Sequence, residues 1–159
     1  MKKSLNILGA TGSIGQSAAD VILSAPERFD VQIVTAHRNA EKLAETAIRL
    51  KARKAVIADE SQYKALKNIL GEQISIAAGQ AALLEAAAQP ANLTLAAMVG
   101  IAGLRPVMAA VQNSKVVAIA NKEPLVAAGP VIMEAARRHN TTILPVDSEH
   151  NAVFQVFNE

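Results

Sequence analysis

The sequence predicts an α/β fold: a doubly wound, mainly parallel sheet with helices on both faces. Three observations predict it. Short runs rich in Val and Ile alternate with longer helical stretches along the whole chain, the signature of βαβ units. Apolar residues make up 51% of the sequence but aromatics only 3%, so small side chains let helices lie close to a sheet covered on both faces. The length, 159 residues, suits one domain with one sizeable core.

The elements follow in order. A first strand over Ser4–Leu8 stops at Gly9, and a helix over Ile14–Leu23 follows. Val31–Thr35 forms the second strand, and Asn39 is placed to cap a helix over Ala40–Lys51. Arg49, Lys51, Arg53 and Lys54 cluster where that helix ends, where cations complement its dipole. Strands over Ala55–Ala58 and Ile74–Ala77 carry helices over Gln62–Leu70 and Gln80–Ala88. The fifth strand, Leu93–Val99, runs into Gly100 and Gly103, and a helix over Arg105–Gln112 follows. Val116–Ala120 leads through Asn121, a good N-cap, to a helix over Pro124–His139. Thr142–Val146 is the last strand, with a final helix from about Ser148. No repeat, low-complexity tract or long linker interrupts this pattern.

Composition excludes several classes. No apolar run approaches the ~20 residues of a membrane span. Met1-Lys2-Lys3 before an apolar run mimics a signal peptide, but the run ends at Gly9 without a cleavage-site pattern. The absence of cysteine removes disulfides and thiolate metal sites. A net charge of +2 is too small to argue for nucleic acid. The expectation is a soluble cytoplasmic protein that binds neither nucleic acid nor membrane.

Chemistry concentrates where strands end. After the first strand comes Gly9-Ala10-Thr11-Gly12-Ser13-Ile14-Gly15. Gly9 permits a sharp turn, Gly12 lets the backbone approach a pyrophosphate, and Gly15 lets the helix pack close to the sheet. The amides of Thr11, Gly12, Ser13 and Ile14 then face an anion at the positive end of a helix. The spacing is Gly-x-x-Gly-x-x-Gly rather than Gly-x-Gly-x-x-Gly, and a tight turn without a ligand also accounts for it. With a ligand, this is the phosphate turn of a Rossmann-like dinucleotide domain.

The second strand runs into Ala36-His37-Arg38-Asn39 without the acid that usually bonds an NAD ribose. Arg38 can pair with a 2′-phosphate and Asn39 can donate to it, which favours NADP. Alternatively, Arg38 is only exposed and Asn39 only a cap. Ala36, Arg38 and Asn39 are the cofactor-binding candidates of this region. The glycines after Met98-Val99 fit packing and turn chemistry as well as binding.

Two further segments follow the sixth and seventh strands: Asn121-Lys122-Glu123 and Asp147-Ser148-Glu149-His150. In an open parallel sheet, ligands sit outside the carboxyl ends of the strands. Asp147 and Glu149 are hard oxygen ligands suited to Mg²⁺ or Mn²⁺, and Lys122 can hold an anionic group. Helix capping also explains Asn121 and Ser148, and for Asp147 and Glu149 taken alone it stands ahead of metal binding.

The glycine turn, Asn121-Lys122-Glu123 and Pro145-Val146-Asp147-Ser148-Glu149-His150-Asn151-Ala152, in that order and spacing, resemble the 1-deoxy-D-xylulose 5-phosphate reductoisomerase family. The resemblance runs over essentially the whole chain; the last motif is specific to the family and the first is not. It implies rearrangement of 1-deoxy-D-xylulose 5-phosphate to an aldehyde, then reduction by NADPH to 2-C-methyl-D-erythritol 4-phosphate, an isoprenoid precursor. It implies Asp147 and Glu149 as metal ligands, and Lys122, Ser148 and Glu149 as substrate-binding residues. Lys122 and Glu149 are the implied catalytic pair. The cofactor-binding residues implied are Gly9, Thr11, Gly12, Ser13, Ile14, Ala36, Arg38, Asn39, Asn121 and Glu123.

Three departures from the family pattern stand out. Pro124 occupies a position where Ser or Ala is expected, and His37 one where Gly is frequent. The third is length: the family's chain continues well beyond this point, with a third metal-ligating acid, a lid and much of a homodimer interface. Residues 1–150 are accordingly expected to be an NADPH-binding domain and 151–159 the start of a truncated catalytic region, inactive alone. Two other readings remain. One is another NADP-dependent reductase with the same glycine spacing, such as an aspartate-semialdehyde dehydrogenase relative; that enzyme needs a nucleophilic cysteine, which these 159 residues lack and a longer chain can supply. A non-enzymatic NADP-binding module has no need of Lys122, Asp147 or Glu149.

Overall fold

The computed structural model describes residues 2–146. The strands are β1 (Lys3–Leu8), β2 (Phe29–Ala36), β3 (Lys54–Ile57), β4 (Ser75–Ala78), β5 (Ala91–Ala96), β6 (Ser114–Ile119) and β7 (Thr142–Pro145). The helices are α1 (Ser13–Ser24), α2 (Ala40–Arg49), α3 (Tyr63–Leu70), α4 (Gln80–Ala87), α5 (Leu104–Asn113) and α6 (Lys122–His139). The strands make one sheet in the order β4-β3-β2-β1-β5-β6-β7, and every neighbouring pair is parallel.

That order dictates where the helices go. From β1 the chain steps outward through β2 and β3 to β4, and right-handed crossovers put α1, α2 and α3 on one face. It then returns to the far side of β1 and steps outward through β5, β6 and β7, which puts α4, α5 and α6 on the other face. The cores agree. Leu5, Ile7, Val34 and Ile57 pack with Ala19, Leu43 and Leu66 of the first three helices. Ile33 and Val56 pack with Leu83 and Ala86 of α4, while Val117 and Ile119 pack with Val107, Val111 and Ile132 of α5 and α6. The fold class expected from sequence is the one observed.

A register shift between β1 and β2 serves this two-sided packing. Leu5 pairs with Val31 and Asn6 with Ile33, so Gln32 is an extra residue in β2. The bulge turns Ile33 toward one face while Val31 and Val34 serve the other.

Where elements differ from expectation, a local cause is visible. β5 stops at Ala96 rather than Val99, because Gly100 turns the chain with φ +78° and the Asn121 side chain takes the Met98 and Gly100 carbonyls. α6 starts two residues before Pro124, which falls in the first turn where its missing N–H is harmless. Further on, Ala128 leaves helical geometry (φ −144°, ψ 27°) ahead of Gly129 and Pro130, and α6 kinks there. Short 3₁₀ segments at Glu60–Gln62 and Ile101–Gly103 had no counterpart in the sequence reading. The helix expected from about Ser148 lies outside the described residues. Among those described, no helix is long and apolar enough to cross a membrane.

Candidate functional site

β1 and β5 are neighbours whose chains depart in opposite directions, so a crevice opens between their carboxyl ends. Gly9 closes β1 with φ +90°, and a Cβ there would lie 2.5 Å from the Ala97 carbonyl oxygen. Only glycine lets the two strand ends sit this close. A Cβ on Gly15 would lie 2.5 Å from the Gly9 oxygen, so α1 packs against its own turn, a closer partner than the sheet named from sequence. Gly12 differs from both. Its backbone is extended (φ −75°, ψ 171°), and the nearest atom to a Cβ there would be the Gly9 oxygen, 3.6 Å away. Fold geometry does not demand glycine here; the space above Gly12 is open.

Gly12 is also the N-cap of α1, a 12-residue helix with no side-chain cap and no acid in its first turn. The Gly12 N–H turns back onto the Gly9 carbonyl at 3.3 Å, so the Ser13 and Ile14 N–H groups and the positive end of the helix dipole are what is left for an external anion. Ser13 and Ile14 open this helix and are exposed, while Thr11 is half-buried.

Side chains distant in sequence hold the turn in shape. Gly9 N–H donates to Thr35 Oγ1 at 3.1 Å, and Ala10 N–H to the Thr35 carbonyl at 2.7 Å. Gln16 Nε2 donates to the Ala10 carbonyl at 2.8 Å and to Thr46 Oγ1 at 3.0 Å. Sequence reading gave neither Thr35 nor Gln16 a role. A signal existed for Gln16, a polar residue one turn before Ala19 on the stripe that α1 buries.

The turn fronts a cleft of about 360 Å³. Gly9, Thr11 and Gly12 form one wall and the end of β2, Thr35 to His37, another. Ala58, Gln80 and Leu83 close one end, and Ala97 to Val99 with Ala102 the other. The volume and mostly apolar walls suit a small-molecule or cofactor site.

Arg38 follows the lining residue His37 and lines a neighbouring depression with Asn39; its side chain is 72% exposed, and its Nε is 4.0 Å from Asp59 Oδ2. Side-chain and backbone hydrogen bonds from Ser61 hold the Asp59 carboxyl below the usual carboxylate range, with smaller attractions from Arg38 and His37. Arg38 thus has a long contact with a reliably ionised neighbour. Asn39 is exposed, and its Oδ1 accepts the Lys42 N–H at 2.9 Å to cap α2. The run Ala36 to Asn39 carries no carboxylate.

Beyond the cleft, Asn121 is 8% exposed and fully engaged. Its Nδ2 donates to the Met98 carbonyl at 2.5 Å and the Gly100 carbonyl at 2.9 Å. Its Oδ1 accepts the Glu123 N–H at 3.3 Å, capping α6. One side chain thereby ties the β5 loop, a wall of the cleft, to the start of α6, where Lys122 and Glu123 are exposed. Pro145 pairs with Ile119, and Val146 N–H reaches the Ile119 carbonyl at 3.0 Å, so β6 and β7 end level. Asp147, Ser148, Glu149 and His150 follow directly and lie outside the described residues. Among the described residues, no group of three His, Cys, Asp or Glu is placed to hold a metal ion.

A doubly wound parallel sheet with a glycine turn, an uncapped helix N-terminus and a cleft at its switch point defines the dinucleotide-binding class of α/β domain. Comparison with known proteins narrows the class. The family profile described as 1-deoxy-D-xylulose 5-phosphate reductoisomerase matches residues 5–129, and the chain belongs to that family. It is 51% identical over 156 residues to the reductoisomerase of Zymomonas mobilis, covering 98% of this chain and 40% of that protein. The solved Zymomonas mobilis enzyme in complex with NADPH superposes with a TM-score of 0.96 at 49% identity, over 100% of this chain and 42% of that one. A reductoisomerase in complex with NADPH, fosmidomycin and magnesium gives 0.89 at 38% identity, over 96% of this chain and 38% of that one. The chain spans about 40% of the length of the curated relatives it matches.

Proposed function

We propose that this chain is the NADPH-binding part of an enzyme that converts 1-deoxy-D-xylulose 5-phosphate to 2-C-methyl-D-erythritol 4-phosphate. One observation carries the reading. The open, uncapped N-terminus of α1 over Gly12 shares an edge with a β2 end that offers Arg38 and no acid. The first suits a pyrophosphate and the second a 2′-phosphate. Relatives solved with NADPH and with magnesium support the same assignment.

When bound, NADPH supplies the hydride; the work of this chain is to hold and orient. The amides of Thr11, Ser13 and Ile14, with that of Gly12 once it leaves the Gly9 carbonyl, receive the pyrophosphate beside Gly9. Ala36 borders the adenosine ribose, and Arg38 with Asn39 holds the 2′-phosphate. Asn121 fixes the β5 loop at the nicotinamide end, with Glu123 on its flank. Lys122 holds an anionic group of the phosphosugar at the end of β6. Asp147 and Glu149 hold Mg²⁺ or Mn²⁺, which fixes and polarises the substrate's oxygens, and Ser148 and Glu149 touch the substrate. Residues 1–150 form the cofactor domain and 151–159 open the catalytic region. The full-length enzyme is a cytoplasmic homodimer.

The test is a titration of the chain with NADPH and NADH in parallel, followed by nicotinamide fluorescence, which the absence of Trp leaves clear. Preference for NADPH is expected, and Arg38→Ala weakens it about 10- to 100-fold, the loss of a charge-assisted contact. Equal affinity for both nucleotides, or an unchanged Arg38→Ala variant, overturns the cofactor assignment. The 159-residue chain by itself is expected to bind without turnover. In a full-length enzyme, Asp147→Asn is expected to abolish metal-dependent activity and spare NADPH affinity.

A further inference from the structure

A partly buried relay joins the two places on this edge that suit phosphates. Gln16 Nε2 donates to the Ala10 carbonyl at 2.8 Å and to Thr46 Oγ1 at 3.0 Å. Both acceptor residues are inaccessible, Ala10 at 0% and Thr46 at 1% exposure. Thr46 Oγ1 donates onward to the Lys42 carbonyl at 2.8 Å, and the N–H of Lys42 is the one capped by Asn39. The path therefore runs from the glycine turn, through α1 and α2, to the residue beside Arg38. Neither Gln16 nor Thr46 lines the cleft.

Packing alone does not call for this pair. α2 otherwise buries Ala40, Leu43, Ala44 and Ala47, and α1 buries Gly15, Ala19 and Ile22. An apolar pair would fill the same space and leave the helices free to slide by fractions of an ångström. A Gln–Thr hydrogen bond works only over a narrow range of distance and angle, so it fixes their separation and rotation. The separation matters because the adenosine moiety holds its pyrophosphate and 2′-phosphate at a limited distance from each other. A protein that grips both must hold its two anchors at the matching distance.

We propose that Gln16 and Thr46 are positioning residues that set the spacing between the pyrophosphate turn and Arg38–Asn39, and so contribute to discrimination between NADPH and NADH. This rests on the cofactor reading above. NADH engages only the first anchor, so loosening the relay costs NADPH affinity selectively. A pair that only supported the fold would, when lost, weaken both nucleotides together.

The experiment compares wild type, Thr46→Val, Thr46→Ser and Gln16→Met in parallel NADPH and NADH titrations, with a thermal melt for each. Thr46→Val keeps the shape and removes the hydroxyl; Thr46→Ser keeps the hydroxyl. Gln16 is only half-buried, so Gln16→Met provides a folded variant should Thr46→Val be lost to misfolding. Thr46→Val and Gln16→Met both break the Gln16–Thr46 bond, and each is expected to lower the ratio of NADPH to NADH affinity by about five-fold. Thr46→Ser is expected to restore it. A parallel loss for both nucleotides, or an unchanged ratio in the folded variants, overturns the proposal. A wild type without NADPH preference overturns instead the cofactor reading beneath it.

Discussion

Replacing Gly12 and Gly15 by alanine, one at a time, separates cofactor binding from folding. The two glycines lie in one motif, yet their surroundings are opposite. A Cβ on Gly15 would meet the Gly9 oxygen at 2.5 Å and Ala10 backbone atoms at 2.7 Å. Those are backbone atoms of a braced turn, so α1 must shift. Overpacking of this kind costs about 1–3 kcal/mol, against a gain of ~1 kcal/mol from alanine's helix propensity. Gly15→Ala is expected to be destabilised by up to about 2 kcal/mol, with Tm lower by up to roughly 8 °C for a domain of this size. A Cβ on Gly12 would meet only the Gly9 oxygen, at 3.6 Å, in a backbone conformation open to any residue. The small loss in capping is offset by a stiffer unfolded chain, so Gly12→Ala is expected to stay within ~0.5 kcal/mol of wild type. Its methyl group, however, occupies the space through which a phosphate reaches the α1 amides. Losing one charge-assisted hydrogen bond there costs about 1.5–3 kcal/mol, or roughly 10- to 100-fold in affinity. Thermal melts and nicotinamide-fluorescence titrations of the two variants measure both quantities. A Gly12→Ala protein that binds NADPH as tightly as wild type would refute the claim that this turn approaches the ligand through its backbone.

Two further outcomes follow from the same contacts. Thr35→Val removes the acceptor of the Gly9 N–H and is expected to cost about 1–3 kcal/mol in a denaturant titration. It loosens the turn shared by both nucleotides, so NADPH and NADH affinities fall together. Asp59 has a folded-state pKa below its ordinary 3.8, set mainly by Ser61, so its bonds favour the fold above that pH and cease to do so as pH falls through the lower value. Tm of the wild type and Ser61→Ala is therefore expected to differ at neutral pH and to converge at the acid end of a pH series.

The strand–helix alternation was legible because a parallel sheet buried on both faces writes itself as Val- and Ile-rich runs, and each such run became a strand. Strand order was not in the pattern. It depends on which way each crossover steps, and the return from β4 to β5 across β1 leaves no periodic mark. In the candidate site, glycine spacing marked the turn, since close backbone contact demands glycine at Gly9 and Gly15 whatever else varies. Thr35, Gln16 and Thr46 escaped notice because their partners lie 26 to 30 residues away or on another helix. A side chain that bonds across elements has no local period. The overlong β5 came from the apolar run Leu95 to Val99, in which nothing local shows that a distant Asn121 claims the carbonyls beyond Ala97.

Asn121 joins the nucleotide side of the edge to the side where Lys122 stands, and its double role can be dissected. Its oxygen caps α6 and its nitrogen holds the β5 loop, so substitutions can remove one function or both. Serine keeps a capping oxygen but is too short to reach both carbonyls. Aspartate also caps, but it brings negative charge against two carbonyl oxygens. Alanine does neither. If the cap dominates, Asn121→Ser resembles wild type and Asn121→Ala falls by ~1 kcal/mol. If the loop brace dominates, all three variants lose stability, with aspartate lowest because repulsion adds to the lost bonds. Two good bonds to carbonyls on half-buried residues outweigh a single cap bond at 3.3 Å, so the second pattern is expected. The same order in NADPH affinity, with Asn121→Asp weakest, is expected if the braced loop forms the nicotinamide end of the site. Stability loss in all three variants with unaltered affinity would show that the loop serves the fold and leaves the cofactor to other walls of the cleft.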